Sequence, residues 1–169
     1  MPTGLRRNAA RLRAPRWGRK FPEKKRQSQL LFNWPRDLPM KHLTPKEAHD
    51  FIRSNSDAVF VDVRSEIEFF YVGHPVGAEH IAWQEPPDWD VEPEFAQHVK
   101  ALVAGVRARP VILICRSGKR SVDAGSVLEG AGFSDVYNVL HGFEGDLDEN
   151  FHRGRKSGWR FDGLPWAQM

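Results

Sequence analysis

The single cysteine of the chain and the residues that follow it carry the clearest chemical signal. Cys115 ends the apolar run 110–115. The six residues after it are Arg116, Ser117, Gly118, Lys119, Arg120 and Ser121. A segment that joins a buried strand to a helix can turn successive backbone N–H groups inward, and the helix N-terminus adds donors without partners. We therefore expect an anion-binding loop whose amides and cations stabilise a Cys115 thiolate, with Gly118 permitting the turn.

The cysteine is also consistent with a simpler interpretation, in which Cys115 is a small buried strand residue and the basic segment a solvated turn. Three cations, a glycine and a helix start within six residues favour the chemical interpretation. A lone cysteine excludes an intrachain disulfide and a metal site built from several cysteines. We expect neither a metal nor a cofactor.

The elements that must position this loop alternate along the chain. Short apolar runs predict strands at 58–63, 77–81, 110–115 and 135–140. Helices are predicted from a capping box at Thr44 to Glu47, and at 65–71, 93–106 and 121–131, with a loop at 84–91. Strands that alternate with helices indicate an α/β domain with a mainly parallel sheet, whose ligands bind at the carboxyl ends of the strands.

The charge of the chain is divided unevenly. The chain has 169 residues and a formal net charge of +3. Residues 1–30 contain ten Lys and Arg and one acid, whereas residues 31–169 contain fifteen and twenty-one. The acidic character of the remainder argues against nucleic-acid binding by the folded domain. No apolar run approaches 18 residues, so we expect no membrane-spanning segment.

We expect residues 1–39 to form a disordered basic extension and residues 40–169 to form one domain. Three interpretations of the extension stay open: a solvated tail, an artefact of start-site choice with Met40 as the natural start, or a transit peptide or weak anion-binding arm. We expect the protein to be cytoplasmic, or to lie in an organelle matrix if the extension is a transit peptide.

Several segments in the same order resemble the single-domain rhodanese-like sulfurtransferases. The cysteine segment 115–121 is similar to the active-site loop of that family. Segments 61–64, 68–69 and 73–81 are similar to its upstream signature, and 137–146 to its downstream one. The resemblance covers roughly residues 43 to 166. It implies a doubly wound fold with a mainly parallel five-stranded sheet flanked by helices.

The resemblance also implies a function, which is the transfer of a sulfane sulfur through a persulfide on Cys115. The expected donor is thiosulfate or a similar small compound, and the acceptor is cyanide, a small thiol or a cysteine of a partner protein. Residues 116–121 would form the anion-binding loop, with Arg116, Lys119 and Arg120 tuning its electrostatics. Asp62 and Arg64, just after a buried strand, are expected to support the site structurally.

Two alternative functions stay open on the same fold. The first is a cysteine-based phosphatase or arsenate reductase. Related phosphatases carry a longer loop with an arginine six positions after the cysteine, whereas here that position is Ser121 and the arginine is Arg120. The second is a binding module without catalysis, although such a module would normally lack the cysteine.

Overall fold

The structure, a computed structural model, describes residues 40–169, which form short strands and three α-helices. The predicted basic extension at 1–39 lies outside these residues. In chain order the elements are β1 (Lys41–Leu43), α1 (Pro45–Ser54), β2 (Val59–Asp62), a π-helical turn (Glu68–Val72), β3 (His74–Pro75), β4 (Glu79–His80), β5 (Gln84–Glu85), β6 (Asp90–Val91), α2 (Phe95–Leu102), β7 (Val111–Ile114), α3 (Arg120–Gly130), β8 (Val136–Val139) and β9 (Trp166–Ala167).

The main sheet has five strands in the order β1-β8-β7-β2-β4, and every neighbouring pair is parallel. The predicted fold class is therefore confirmed. All residues of β2, β7 and β8 are buried, as expected for strands covered on both faces. The register pairs Asp62 with Ile114, so the residues that follow β2 and β7 emerge at the same edge of the sheet.

Alternation of side chains along the strands divides the core between the two faces. Leu113 and Cys115 pack on one face with Leu128 of α3 and Phe95 of α2. Ile112 and Ile114 pack on the other face, and the other members of that cluster include Ala48 of α1 and the fully buried Trp159. Cys115 therefore lies on the face that α3 covers.

Helix α1 begins as the sequence predicts. The Thr44 hydroxyl accepts a hydrogen bond from the Glu47 amide, and the Glu47 carboxylate accepts one from the Thr44 amide. Pro45 occupies the first turn, where its missing N–H costs nothing. None of the helices within residues 40–169 is long and apolar enough to cross a membrane.

Several predicted boundaries were wrong for identifiable reasons. The helix predicted at 93–106 covers only Phe95–Leu102, since Ala104 and Gly105 both adopt positive φ angles. The loop at 84–91 contains the antiparallel pair β5 and β6. The segment predicted as a helix at 65–71 is helical, but its Glu68–Val72 part is a π-helical turn, which is held by side-chain bonds of Glu68. These features depend on backbone conformation and distant contacts, which leave little trace in hydrophobic periodicity.

Candidate active site

The Cys115 sulfur lies at the carboxyl edge of the sheet, directly after β7. It accepts a hydrogen bond of 3.1 Å from the Gly118 amide. The Ser121 hydroxyl lies 3.2 Å from it. The residue is only 1% exposed. Helix α3 begins at Arg120, so the connecting loop is 116–119, and Ser121 approaches the sulfur from the first helical turn. The sulfur is therefore within hydrogen-bonding distance of two groups that can donate to it.

The loop turns toward the sulfur because two glycines allow close packing behind it. Gly118 has a φ of +85°, and a Cβ there would come within 3.2 Å of the Val139 carbonyl. Gly142 has a φ of +60°, and a Cβ there would overlap the carbonyl of Cys115. That carbonyl accepts a hydrogen bond of 2.7 Å from the Phe143 amide. The segment after β8 therefore supports the loop from behind.

The cation of Arg120 is paired with an acid. Its two terminal nitrogens each lie 2.8 Å from an oxygen of Glu68, and Glu68 also accepts a bond from the Ser65 amide. Burial alone would raise the pKa of Glu68, but the bonds and charge of Arg120 and the bonds from Ser65 outweigh it and lower the pKa. Burial likewise lowers the pKa of Arg120, and Glu68 raises it by more. The pair is charged and fixed beside the loop.

The remaining two cations of the loop lie nearer to solvent. The side chain of Arg116 is 47% exposed and its Nε lies 4.0 Å from Glu68, while Lys119 is exposed. A surface depression is lined by Trp89 together with Arg116, Ser117, Lys119 and Arg120. The Trp89 ring lies 5.8 Å from the guanidinium carbon of Arg120. An anion in this depression would therefore meet positive charge and an aromatic wall.

Asp62 and Arg64 form a buried pair next to the site. Both side chains are fully buried, and the Arg64 Nη2 lies 2.6 Å from Asp62 Oδ2 and 2.6 Å from the Gly73 carbonyl. The guanidinium also stacks on Phe143 at 4.2 Å, whose amide bonds to the Cys115 carbonyl. The contacts of this pair are therefore with the framework that holds the loop.

Two residues that the sequence did not single out complete the surroundings of the sulfur. The Asn138 Oδ1 lies 2.6 Å from the Ser121 hydroxyl, and its Nδ2 lies 3.1 Å from His42 Nδ1. The signal that could have found Asn138 is its position within a buried strand, since a buried amide requires hydrogen-bonding partners. No comparable signal exists for His42, which becomes relevant only through the pairing of β1 with β8.

A metal centre finds no support in this part of the molecule. Across residues 40–169, no three side chains of His, Cys, Asp or Glu converge into a group that could hold a metal ion.

Comparisons with known proteins identify the family of the chain. A crystal structure of Rv0390 from M. tuberculosis superposes with a TM-score of 0.67 at 38% identity, and covers 76% of this chain and 98% of that protein. The thiosulfate sulfurtransferase GlpE of Pseudomonas putida is 32% identical over 62% of this chain and 82% of its own length. An uncharacterised protein of Rickettsia conorii is 27% identical over 76% of this chain and 98% of its own. The rhodanese-like domain profile matches residues 44–149, and the chain therefore belongs to the rhodanese-like domain family.

Proposed function

We propose that the protein is a sulfurtransferase that carries a sulfane sulfur as a persulfide on Cys115. The observation that carries the proposal is the position of the Cys115 sulfur, which the Gly118 amide and the Ser121 hydroxyl both approach at 3.1 and 3.2 Å. The Gly118 amide, fixed in this way, stabilises a sulfur anion before and after the transfer, and the Ser121 hydroxyl adds to this when its hydrogen points to the sulfur. The likeness to GlpE supports thiosulfate as the donor to test first.

The first half-reaction loads the enzyme. The Cys115 thiolate attacks the outer sulfur of thiosulfate, and a bond forms between the two sulfur atoms. The bond between that outer sulfur and the sulfite sulfur breaks, and sulfite leaves with the bonding electron pair. The product is a persulfide anion on Cys115, so this is covalent catalysis by an activated nucleophile. The exposed charges of Arg116 and Lys119 attract the dianionic donor.

The second half-reaction unloads the enzyme onto an external acceptor. A nucleophile such as cyanide or a thiolate attacks the outer sulfur of the persulfide, and the Cys115 thiolate leaves. The chain contains one cysteine, so it has no second thiol of its own with which to resolve the persulfide as a disulfide. The acceptor is therefore a small molecule or a cysteine of a partner protein.

Phosphatase or arsenate reductase activity is the second candidate, and the state of Arg120 disfavours it. A phosphate-binding arginine in such a loop must present its guanidinium to the bound oxyanion. Here both terminal nitrogens of Arg120 are bonded to Glu68, so the guanidinium is already occupied by a carboxylate. A binding module without catalysis would not require the donors that converge on the Cys115 sulfur.

Intact-mass measurement tests the proposal. Protein treated with thiosulfate, freed of excess reagent, should gain the mass of one sulfur atom, and added cyanide should remove it with release of thiocyanate. A Cys115→Ala variant is the matched control and should gain nothing. Hydrolysis of an aryl phosphate with no sulfur gain would contradict the proposal in favour of a phosphatase. Absence of both activities would contradict it in favour of a binding module.

A further inference from the structure

The Ser121 hydroxyl lies between two acceptors and has one hydrogen to give. It is 3.2 Å from the Cys115 sulfur and 2.6 Å from Asn138 Oδ1. Ser121 is 0% and Asn138 1% exposed, so no bulk water compensates for the bond that is not made. The direction of this one hydrogen therefore decides whether the sulfur receives a second donor besides the Gly118 amide.

The chain of polar contacts continues past Asn138 to the edge of the sheet. Asn138 Nδ2 lies 3.1 Å from Nδ1 of His42, and His42 is exposed. The pairing follows from the sheet, because β1 and β8 are parallel neighbours and His42 is the register partner of Asn138. Alternation along β7 and β8 places Asn138 on the face of Cys115 that α3 covers.

The hydrogen bonds from Cys115 through Ser121 and Asn138 to His42 can all be oriented consistently in two directions. In one, the Cys115 S–H donates to Ser121, the Ser121 O–H to Asn138 Oδ1, and Asn138 Nδ2–H to His42 Nδ1. In the other, every bond reverses: His42 Nδ1–H donates to Asn138 Oδ1, the amide N–H to Ser121, and the Ser121 O–H to the thiolate. The amide has nearly the same shape after a half-turn of its side chain. The first direction suits a thiol, and the second suits a sulfur anion.

We propose that Asn138 and His42 are positioning residues that set the direction of the Ser121 hydroxyl and thereby the stability of the Cys115 anion. A donor at position 42 turns the Asn138 oxygen outward and gives the sulfur its second hydrogen bond. An acceptor at position 42 turns that oxygen inward, where it takes the Ser121 hydrogen away from the sulfur. The inference rests on the proposed role of Cys115 as the nucleophile.

Other charges also act on His42 and Cys115, the two ends of this series of hydrogen bonds. Glu129 of α3 interacts electrostatically with His42, and Arg120 interacts with Cys115. Neither depends on the Ser121 hydroxyl, so removing that hydroxyl separates their influence from the hydrogen-bond chain. A double-mutant cycle is therefore the appropriate test.

The experiment measures the rate of Cys115 alkylation by iodoacetamide at neutral pH and across a pH profile. His42→Asp supplies only an acceptor near the Nδ1 position, whereas His42→Asn can donate or accept. We expect the alkylation rate of His42→Asp to be at least about threefold lower than that of His42→Asn, and the midpoint of its pH profile to be higher. In a Ser121→Ala background the ratio of the two rates should fall to about twofold or less, which is the residual effect of the added charge.

An equal ratio in both backgrounds would overturn the proposal, because only a through-space charge effect would remain. Equal rates of the two variants in the presence of Ser121 would overturn it as well. His98→Asp, on an exposed position of α2, is the matched control and should leave the rate unchanged. Alkylation needs no sulfur donor, so a failure of sulfur transfer with the expected alkylation ratios would count against the proposed function alone.

Discussion

The guanidinium of Arg120 is bonded through two nitrogens, each at 2.8 Å, to the carboxylate of Glu68, which lies 52 residues earlier in the chain. The contact ties the first turn of α3 to the π-helical turn and so fixes the start of the helix beside Cys115. It also places a negative charge directly against the Arg120 cation. The positive charge offered to an anion therefore comes mainly from the more exposed Arg116 and Lys119.

The Glu68–Arg120 pair should make the stability of the protein depend on pH in the acid range. The pKa of Glu68 is lowered below its ordinary value of 4.5, so its ionised form stabilises the fold above that pH. The contribution is lost as pH falls through the lowered value. We expect Glu68→Gln to reduce the free energy of unfolding by about 2 kcal/mol at neutral pH. The difference from the wild type should shrink below about pH 4.5.

Urea unfolding of the two proteins at a series of pH values checks this prediction. Glu47→Gln provides a comparison at the start of α1, since Glu47 also has a lowered pKa but is exposed. A difference between wild type and Glu68→Gln that stays constant to well below the ordinary pKa would contradict the assignment of this carboxylate.

Replacement of Cys115 by serine should abolish sulfur transfer and leave the fold intact. Serine is close in size to cysteine, but its hydroxyl is not ionised at neutral pH and is a poor nucleophile toward sulfur. We expect no thiocyanate from thiosulfate and cyanide, and a change in unfolding free energy of about 1 kcal/mol. Activity is measured as thiocyanate and folding by circular dichroism. Thiocyanate formation by this variant would refute the role of Cys115.

Removal of the Lys119 charge should weaken anionic donors more than neutral ones. With Arg120 engaged by Glu68, Lys119→Ala removes one of the two solvent-facing cations of the loop. We expect KM for thiosulfate to rise about fivefold, which is the effect of roughly 1 kcal/mol between exposed charges, with little change for an uncharged organic trisulfide. Added salt should reduce the difference.

Lys100→Ala is the control for this measurement, because Lys100 is an exposed lysine on α2. It should leave both KM values unchanged. If Lys119→Ala weakened both donors equally, the residue would shape the loop rather than attract the anion.

Replacement of Gly118 by alanine should displace the loop, in addition to the strain that a side chain causes at a positive φ angle. Gly118→Ala places a methyl group 3.1 Å from the His141 nitrogen at a φ of +85°. We expect about 1–2 kcal/mol of destabilisation from the left-handed backbone. We also expect roughly a tenfold loss of kcat as the amide moves from the sulfur.

Gly77→Ala separates the two effects, because Gly77 has a similar φ of +82° and nothing within 4 Å of its Cβ position. It should lose similar stability and keep full activity. Equal activity in the two variants would show that the Gly118 amide does not contribute to catalysis.

The local features of this protein, such as a buried strand and a helix start, could be predicted from its sequence. The run 110–115 specifies a buried strand by composition alone, and Cys115 must then emerge at its carboxyl end. The capping box at Thr44 and Glu47 is likewise a matter of residues three positions apart. Such features depend on short-range sterics and on the placement of apolar groups, both of which are encoded in consecutive residues.

Only the tertiary structure decided which side chains meet across those elements. It paired Arg120, one of the three cations predicted to tune the loop, with Glu68. It placed Asn138 and His42 behind Ser121 through the register of two strands almost a hundred residues apart in sequence. Pairings of this kind depend on how the strands are ordered in the sheet and on which face each side chain occupies. The sequence by itself predicted the position of Cys115 and of the loop that follows it; the packing of distant segments determined which side chains surround them.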